Sequence, residues 1–426
     1  MDLADSRIVV GLNTPLHSDK SQEDTILVIN CGSSTIKYQL LAMATEQLLL
    51  KGVFEGLCQE QGQHSYTWFA ENGREREHTI SLSNPDYTIC FNSLTDLISE
   101  FKWPSPRAIG HRVVHGGELF TGPTLIDASV LTKIEQLSVL APLHNLVNLE
   151  GIRFCLALFS HVPQIAVFDT AFHQTMPDYV YRYPISTSWY SEHHIRKYGF
   201  HGTSHQYVAQ KTAHYLQTPL ATLNLITVHL GNGASIAAIE QGQCIDTSMG
   251  FTPLEGLMMG TRCGDIDPAI PLYMQKATGL NATQVSDELN HHSGLLAVAG
   301  DQDMRDVLSR SNNGEPTAEL AIKMYCYRIK KYIGAFLAAI GHVDAIIFTG
   351  GIGENSAVIR SRCCDGLELL GIKIDFDLNE PPNGSSVSLI SCDTGNIKVL
   401  AIKTNEELQI ANEVVNYIKS SKAQQV

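Results

Sequence analysis

The 426-residue chain has no uninterrupted apolar stretch near the roughly 18 residues that cross a bilayer. Its first 25 residues carry Asp2, Asp5, Glu23 and Asp24 and lack the basic-then-apolar order of a secretion signal. The expectation is a cytoplasmic protein with no membrane partner. Ten cysteines are scattered without a CxxC pair, only Cys363 and Cys364 being adjacent, so neither a zinc ribbon nor a disulfide framework is indicated. The formal charge of −14 comes without a basic stripe, which argues against nucleic acid as a partner. Any anionic ligand must be held by a local cluster of cations. No low-complexity linker interrupts the chain, although its length exceeds one typical core and favours two or three domains.

What the chain does have is glycine at the ends of apolar runs. Residues 27–35, 226–233 and 346–355 each pass from a strand-type sequence into a glycine turn, at Gly32, at Gly231 and Gly233, and at Gly350, Gly351 and Gly353. Such turns let backbone N–H groups approach phosphate. After the first two, Ile36, Tyr38 and Leu40, then residues 235–239, continue as strand where a Walker loop would open a helix. They read as phosphate-gripping hairpins. Their starts lie about 200 residues apart, roughly half the chain, the separation a duplicated domain gives. The expected architecture is α/β with a largely parallel, mixed sheet flanked by helices in each of two lobes and a nucleotide cleft between them.

Residues 1–24 read as a polar N-terminal extension. The first lobe is expected to span 25–169, closing with the buried-type strand 163–168, and residues 400–426 pack back on it as an amphipathic helix from Glu406. Residues 170–399 form the second lobe, the nucleotide side. Apolar positions predict one helix through Leu131, Ile134, Leu137 and Leu140, and a long one from Leu320 to Phe336.

Several polar groups sit where chemistry needs them. Arg112 and Arg262 each lie between nearby glycines, one per lobe, and suit a single anionic cleft. His201 and His205 have the i, i+4 spacing of a helical metal pair, but Gly202 stands between them. Thr203 or Ser204 is the better N-cap for a helix from Gln206, leaving His201 just ahead of an anion-favouring helix start. Asp169 follows a buried-type strand, where open α/β sheets place catalytic groups, with helix capping as the competing role. Asn30 and Glu406 together offer oxygens suited to Mg²⁺, which takes few carboxylates and keeps waters and phosphate oxygens, although Glu406 also suits an ordinary first helical turn.

Taken together, the segments VINCGSS at 28–34, GHRVVHGG at 110–117, VFDTAFHQTMP at 167–177, YGFHGTSH at 198–205, HLGNGAS at 229–235, GDIDP at 264–268 and GGIGEN at 350–355 resemble the acetate kinase family in order and spacing, from about Thr25 to Asn412. The resemblance implies the duplicated fold of actin, hexokinase and chaperone ATPases, and reversible transfer of the ATP γ-phosphoryl group to acetate, giving acetyl phosphate and ADP, with Mg²⁺ (or Mn²⁺) and in a homodimer. By position it implies that Arg112 and Arg262 grip carboxylate and phosphoryl group, with His201 as the third stabiliser. Asp169 matches the family's catalytic aspartate, read here as orienting the metal in preference to acting as a base, and Asn30 with Glu406 matches the metal site. Val114, Leu143, Phe200 and Pro253 match the wall around the acetate methyl. Lys37 and His229, Leu230, Gly231, Asn232 and Gly233 match phosphate contacts. Asp303, Met304 and Arg305, with Gly351, Ile352, Gly353, Glu354 and Asn355, match the adenosine side.

Thr35, Cys263 and Lys403 depart from the family pattern, and residues 144–148 lack its paired prolines, which is expected to loosen the loop beside the acyl pocket. A propionate or butyrate kinase is the nearest alternative, and an ATP-regulated binding protein the alternative from another class.

Overall fold

The structure, a computed structural model, describes residues 24–69, 75–103, 105–142, 144–380 and 385–423, so nearly all of the expected N-terminal extension lies outside it. Two mixed sheets organise it. The first holds β1 (Thr25–Cys31), β2 (Thr35–Ala42), β3 (Gln47–Glu55), β4 (Gln61–Phe69), β5 (Glu75–Ser83), β6 (Ala108–Val113), β7 (Thr124–Leu125) and β8 (Gln164–Phe168), in the order β5-β4-β3-β2-β1-β6-β8-β7. The second holds β9 (Leu225–Leu230), β10 (Ala234–Glu240), β11 (Gln243–Thr247), β12 (Ala345–Thr349), β13 (Val387–Leu389) and β14 (Lys398–Ile402), in the order β11-β10-β9-β12-β14-β13.

The second order repeats β3-β2-β1-β6-β8-β7 strand for strand, with the same parallel and antiparallel pairings. This is the duplication that the glycine turns foreshadow. Both turns are hairpins, placing Asn30 opposite Lys37 and His229 opposite Ser235. The third glycine run instead winds directly into the helix Gly350–Asn355. Strands β8, β9 and β12 are buried along their whole length, which is why they read as continuous apolar runs without alternation.

Two helices, Gly202–Tyr215 and Glu406–Ala423, share one core with both sheets. Ile26 and Val28 of β1, Leu225 of β9, Ile347 of β12 and Leu400 of β14 pack in one cluster with Val208, Leu408, Ile410 and Val414. The C-terminal helix rests on β1 and β6, as expected, and also on the helix Gly202–Tyr215. Residues 400–402, expected with the first lobe, belong to β14 and therefore to the second sheet. The helix expected through Leu140 stops at Gln136 and tightens into a single turn, Leu137–Val139. The long helix runs Pro316–Ile340, with proline in its first turn where no N–H is missed.

Gly110 on β6 sets how closely the C-terminal helix can sit. A Cβ there would stand 2.7 Å from Ile410 Cγ2 and 2.9 Å from Val414 Cγ2. Gly110→Val should therefore lower unfolding free energy by about 1–3 kcal/mol in a urea titration, the usual cost of overpacking a filled core. A variant as stable as the parent would show that the helix is not seated there.

Candidate active site

The site starts from three neighbouring strand ends of the first sheet. Arg112 near the end of β6 and Asp169 just past β8 are brought side by side by the parallel pairing of those strands. The guanidinium meets the carboxylate as a fork, Nε to Oδ1 at 2.9 Å and Nη2 to Oδ2 at 2.6 Å, with Asp169 2% and Arg112 21% exposed at the side chain. Nη1 lies 3.5 Å from Oδ1 of Asn30 on β1. Burial holds the Asp169 carboxyl above its usual range against the opposing pull of Arg112, while burial of Arg112 is outweighed by Asp169 and then Glu406. Two charge-assisted bonds from a guanidinium require a carboxylate acceptor, so the pair is ionised.

His201 stands beside this pair in a left-handed conformation (φ 56°), rare for a side-chain-bearing residue. The sequence expectation of Thr203 or Ser204 as N-cap is corrected here. The helix begins at Gly202, His201 is its N-cap, and no side chain caps it. The cause is close approach: the N–H of Gly202 donates to Asp169 O at 2.9 Å, and a Cβ at 202 would lie 2.2 Å from that oxygen. Only glycine lets the helix start against Asp169. The His201 Nδ1 is 2.9 Å from Ser235 Oγ, and its ring stacks on His229 with centroids 4.4 Å apart. Burial first, then His229 and His205, then Arg112 and Arg262 push its protonation well below the usual histidine range. His201 is neutral, and both guanidiniums lie within electrostatic reach of one ring.

His205 is not a metal partner of His201. It is fully buried with both nitrogens taken, Nδ1 by Thr227 Oγ1 at 2.7 Å and Nε2 by Ser235 Oγ at 2.8 Å.

Arg262 reaches the same place from the second half of the chain. A Cβ on Gly233 would stand 3.3 Å from His201 Cε1, 3.4 Å from its Nε2 and 3.5 Å from Arg262 Nη1, so the turn after β9 needs glycine to admit both groups. Its loop is anchored by backbone: Gly260 N donates to Asn232 O at 3.1 Å and Met259 N to Arg262 O at 3.1 Å. The guanidinium donates to Pro253 O at 3.2 Å and touches Met259 Sδ at 3.8 Å, with no carboxylate partner among the described residues. Burial lowers its pKa, as expected of a cation without a counter-ion. Arg112 is neutralised locally, and Arg262 is not.

Glu406 opens the C-terminal helix, and its Oε2 accepts from Thr203 Oγ1 at 3.4 Å. It acts electrostatically on Arg112, Asp169 and His229, which places it in this cluster. The described residues contain no group of three His, Cys, Asp or Glu able to close a cage on a metal. One carboxylate with the amide oxygen of Asn30 is the sparse oxygen set that Mg²⁺ accepts when phosphate and water complete its shell. The residues fit that ion.

The remaining expected residues scatter more widely. Phe200 is 2% and Val114 9% exposed, both in one core cluster, and Pro253 is half-buried beside Arg262; Leu143 lies outside the described residues. Lys37 is exposed, within electrostatic reach of Glu407. Leu230 and Met304 turn their side chains into the core, leaving only backbone for a ligand. Asp303 caps the helix Met304–Asn312 and pairs with Arg305, an exposed ion pair of small energetic weight. Glu354 is spent structurally, its Oε1 accepting from the N–H groups of Gly350 and Thr404 at 2.9 Å each.

Some residues that shape the site carry no sequence signal of their own. Asn145 holds both backbone groups of His115, through Oδ1 at 3.1 Å and Nδ2 at 2.9 Å, and Asn148 holds Val114 N and Cys31 O at 3.1 and 2.8 Å. From Asn145 onward the stretch expected to be loose is therefore pinned to the loop after β6. Ser204 Oγ likewise bridges His229 Nδ1 and Thr404 Oγ1, at 2.8 Å each.

A model of the acetokinase family matches residues 25–412. The chain is 46% identical to an acetate kinase of Carboxydothermus hydrogenoformans over 401 residues, covering 92% of this chain and 99% of that protein. It superposes on the crystal structure of Porphyromonas gingivalis acetate kinase with a TM-score of 0.87 at 40% identity, covering 93% and 100% of the two chains. A crystal structure of a propionate kinase from Francisella tularensis gives 0.86 at 43% identity, covering 92% and 98%.

Three buried histidines near the strand ends tie stability to pH. Burial lowers His111, His115 and His173 each to about 4, against about 6.5 in an unfolded chain. Each of these rings thus takes up about one more proton in the unfolded chain between those values, so the stability they give above pH 6.5 is lost as pH falls toward 4, in the same direction as buried His64, also lowered to about 4, and His201 and His205, held well below the usual range. These three rings should contribute about 4 kcal/mol of weakening per pH unit in mid-window to urea unfolding, at about 1.4 per histidine. A flat profile from pH 6.5 to 4 would contradict the neutral, buried state of these rings.

Proposed function

The chain belongs to the acetokinase family, and we propose that it transfers the γ-phosphoryl group of ATP directly and reversibly to acetate, giving acetyl phosphate and ADP. The observation that carries the reading is the unpaired, partly buried Arg262 beside neutral His201, within one electrostatic neighbourhood of the Arg112–Asp169 pair. An acetate carboxylate approaching a γ-phosphoryl group is anion meeting anion. At an effective dielectric near 20, unit charges about 4 Å apart repel by roughly 4 kcal/mol. Cations aimed at one spot cancel that cost.

In this mechanism Arg112 grips the carboxylate, and Val114, Phe200 and Pro253 surround the methyl group. Arg112, Arg262 and the Nε2 of His201 bind the equatorial phosphoryl oxygens. A carboxylate oxygen bonds to phosphorus as the bond to the β–γ bridging oxygen breaks, and ADP leaves with that electron pair. Acetate is already ionised, so no base is needed. Asp169, with one Arg112 hydrogen bond on each oxygen, holds that guanidinium at fixed orientation and keeps lone pairs for the metal-orienting role expected of it. Bound Mg²⁺ would be held by Glu406 and Asn30 and would neutralise phosphate charge. The turn His229–Gly233 offers backbone to the phosphates, Lys37 adds a cation opposite Asn30 on the first hairpin, and residues 303–305 and 351–355 line the adenosine side.

We also assign the protein to the cytoplasm, as a homodimer. Among the described residues no helix is long and apolar enough to cross a membrane. A second copy would cover exposed apolar side chains of the second half, including Tyr327 and Phe376, 63% and 78% exposed, which line a cavity of about 980 Å³ that includes no candidate site residue.

The two arginines should respond differently to deletion. Arg262→Ala orphans no carboxylate, so it should unfold at the parent temperature while acetyl phosphate formation, trapped as hydroxamate, falls about 10³–10⁵-fold, the range for a phosphoryl-binding arginine. Arg112→Ala strands buried Asp169 and should lose about 3–5 kcal/mol of stability as well as activity. Equal behaviour of the two would refute the distinction.

Chain-length preference follows from the methyl wall. Val114→Ala should raise the propionate-to-acetate ratio of kcat/KM by about 10-fold or more, since one methylene in such a pocket is worth about 1–3 kcal/mol. An unchanged ratio would remove Val114 from the pocket.

A further inference from the structure

His201 Nε2 has no protein partner among the described residues and lies on the side of the Gly233 turn and Arg262, whereas Nδ1 is tied back into the fold through Ser235. Behind it runs a buried line of four groups: His201 Nδ1, Ser235 Oγ at 2.9 Å, His205 Nε2 at 2.8 Å from the same oxygen, and Thr227 Oγ1 at 2.7 Å from His205 Nδ1. Ser235, His205 and Thr227 are fully buried. We propose that Thr227, His205 and Ser235 are positioning residues that form a one-way hydrogen-bond relay, fixing neutral His201 as the tautomer with its proton on Nε2, the nitrogen offered to the transferring phosphoryl group.

The direction follows from counting protons. Ser235 has one hydroxyl proton and two imidazole neighbours, so it donates to one ring and accepts from the other. Thr227 Oγ1 has no second side-chain or backbone partner among the described residues, and its proton is satisfied only by donation to His205 Nδ1. His205 then carries its proton on Nε2 and donates to Ser235, whose own proton goes to His201 Nδ1. The remaining His201 proton sits on Nε2. Running the line backwards would leave the Thr227 proton without an acceptor and turn a lone pair toward an anion. Both ends of the relay favour the same direction. A neutral donor so fixed offers a hydrogen bond to phosphoryl oxygens with no protonation step and no turnover-to-turnover choice of tautomer.

This inference rests on the reading of His201 as a phosphoryl contact, and the test separates the two. In protein labelled with ¹⁵N-histidine, long-range proton–nitrogen correlation should show His201 protonated on Nε2 and bare on Nδ1, its signals assigned by their loss in His201→Asn. Ser235→Ala should mix the tautomers and lower kcat about 10- to 100-fold, somewhat less than outright loss of a preorganised donor, with KM for acetate and ATP changed by about two-fold or less. Ser235→Thr, which keeps the hydroxyl, should restore the Nε2–H form and most of kcat relative to Ser235→Ala. A wild-type spectrum with the proton on Nδ1, or on both nitrogens, overturns the relay even if Ser235→Ala fails to fold. Undiminished acetyl phosphate formation by His201→Asn overturns the phosphoryl-contact reading instead, whatever the tautomer.

Discussion

The structure depends on placing positive charge where two negative reactants must meet, and on leaving part of that charge uncompensated. A guanidinium without a counter-ion is costly to bury, which is why most buried arginines are paired. Arg112 follows that rule through Asp169. Arg262 breaks it, held by a carbonyl and a thioether alone. The difference divides the labour: the paired arginine has fixed orientation and little net charge to offer, and the unpaired one has charge that an incoming anion satisfies. A guanidinium left without a direct counter-ion, in a chain carrying −14 overall, is a local device and not a property of the surface.

The fold supplies the geometry by repetition. Each half contributes an antiparallel hairpin and parallel strands whose ends converge, so β1, β6 and β8 deliver Asn30, Arg112 and Asp169 while β9 delivers His229 and the Gly233 turn. The helices Gly202–Tyr215 and Glu406–Ala423 fill one core between the sheets, and each starts at the site, with His201 and Glu406 at their first turns. Packing energy spent on joining the halves therefore also fixes the chemical groups. The left-handed His201 is where that construction stores local strain, against the carbonyl of Asp169.

Much of this was legible in the sequence because the physics is local. Continuous apolar runs with glycine at their ends announce buried strands and close backbone approach, and the separation of Gly32 from Gly231 carries the duplication. Nearby glycines mark both arginines, one near the end of β6 and one in a loop. What was not legible depends on atoms distant in sequence. Local capping chemistry favours Thr203 or Ser204 as the N-cap of the helix after His201. Steric contact between Gly202 and Asp169 O, which no local pattern encodes, decides the start. Asn145 and Asn148 looked like the absence of prolines, and their work on His115 and Val114 is visible only once the loop after β6 lies beside them. Likewise Ser235 and Thr227 are ordinary strand residues until β9 and β10 pair behind His201 and His205.

The most direct measurement of the central claim is a crystal structure with ADP, Mg²⁺, acetate and a planar aluminium fluoride in place of the transferring phosphoryl group. The account predicts that guanidinium nitrogens of Arg112 and Arg262 and the Nε2 of His201 all come within about 3 Å of its fluorides or of the acetate oxygens. A complex in which Arg262 turns away from the fluoride, or finds a protein carboxylate instead, would contradict it.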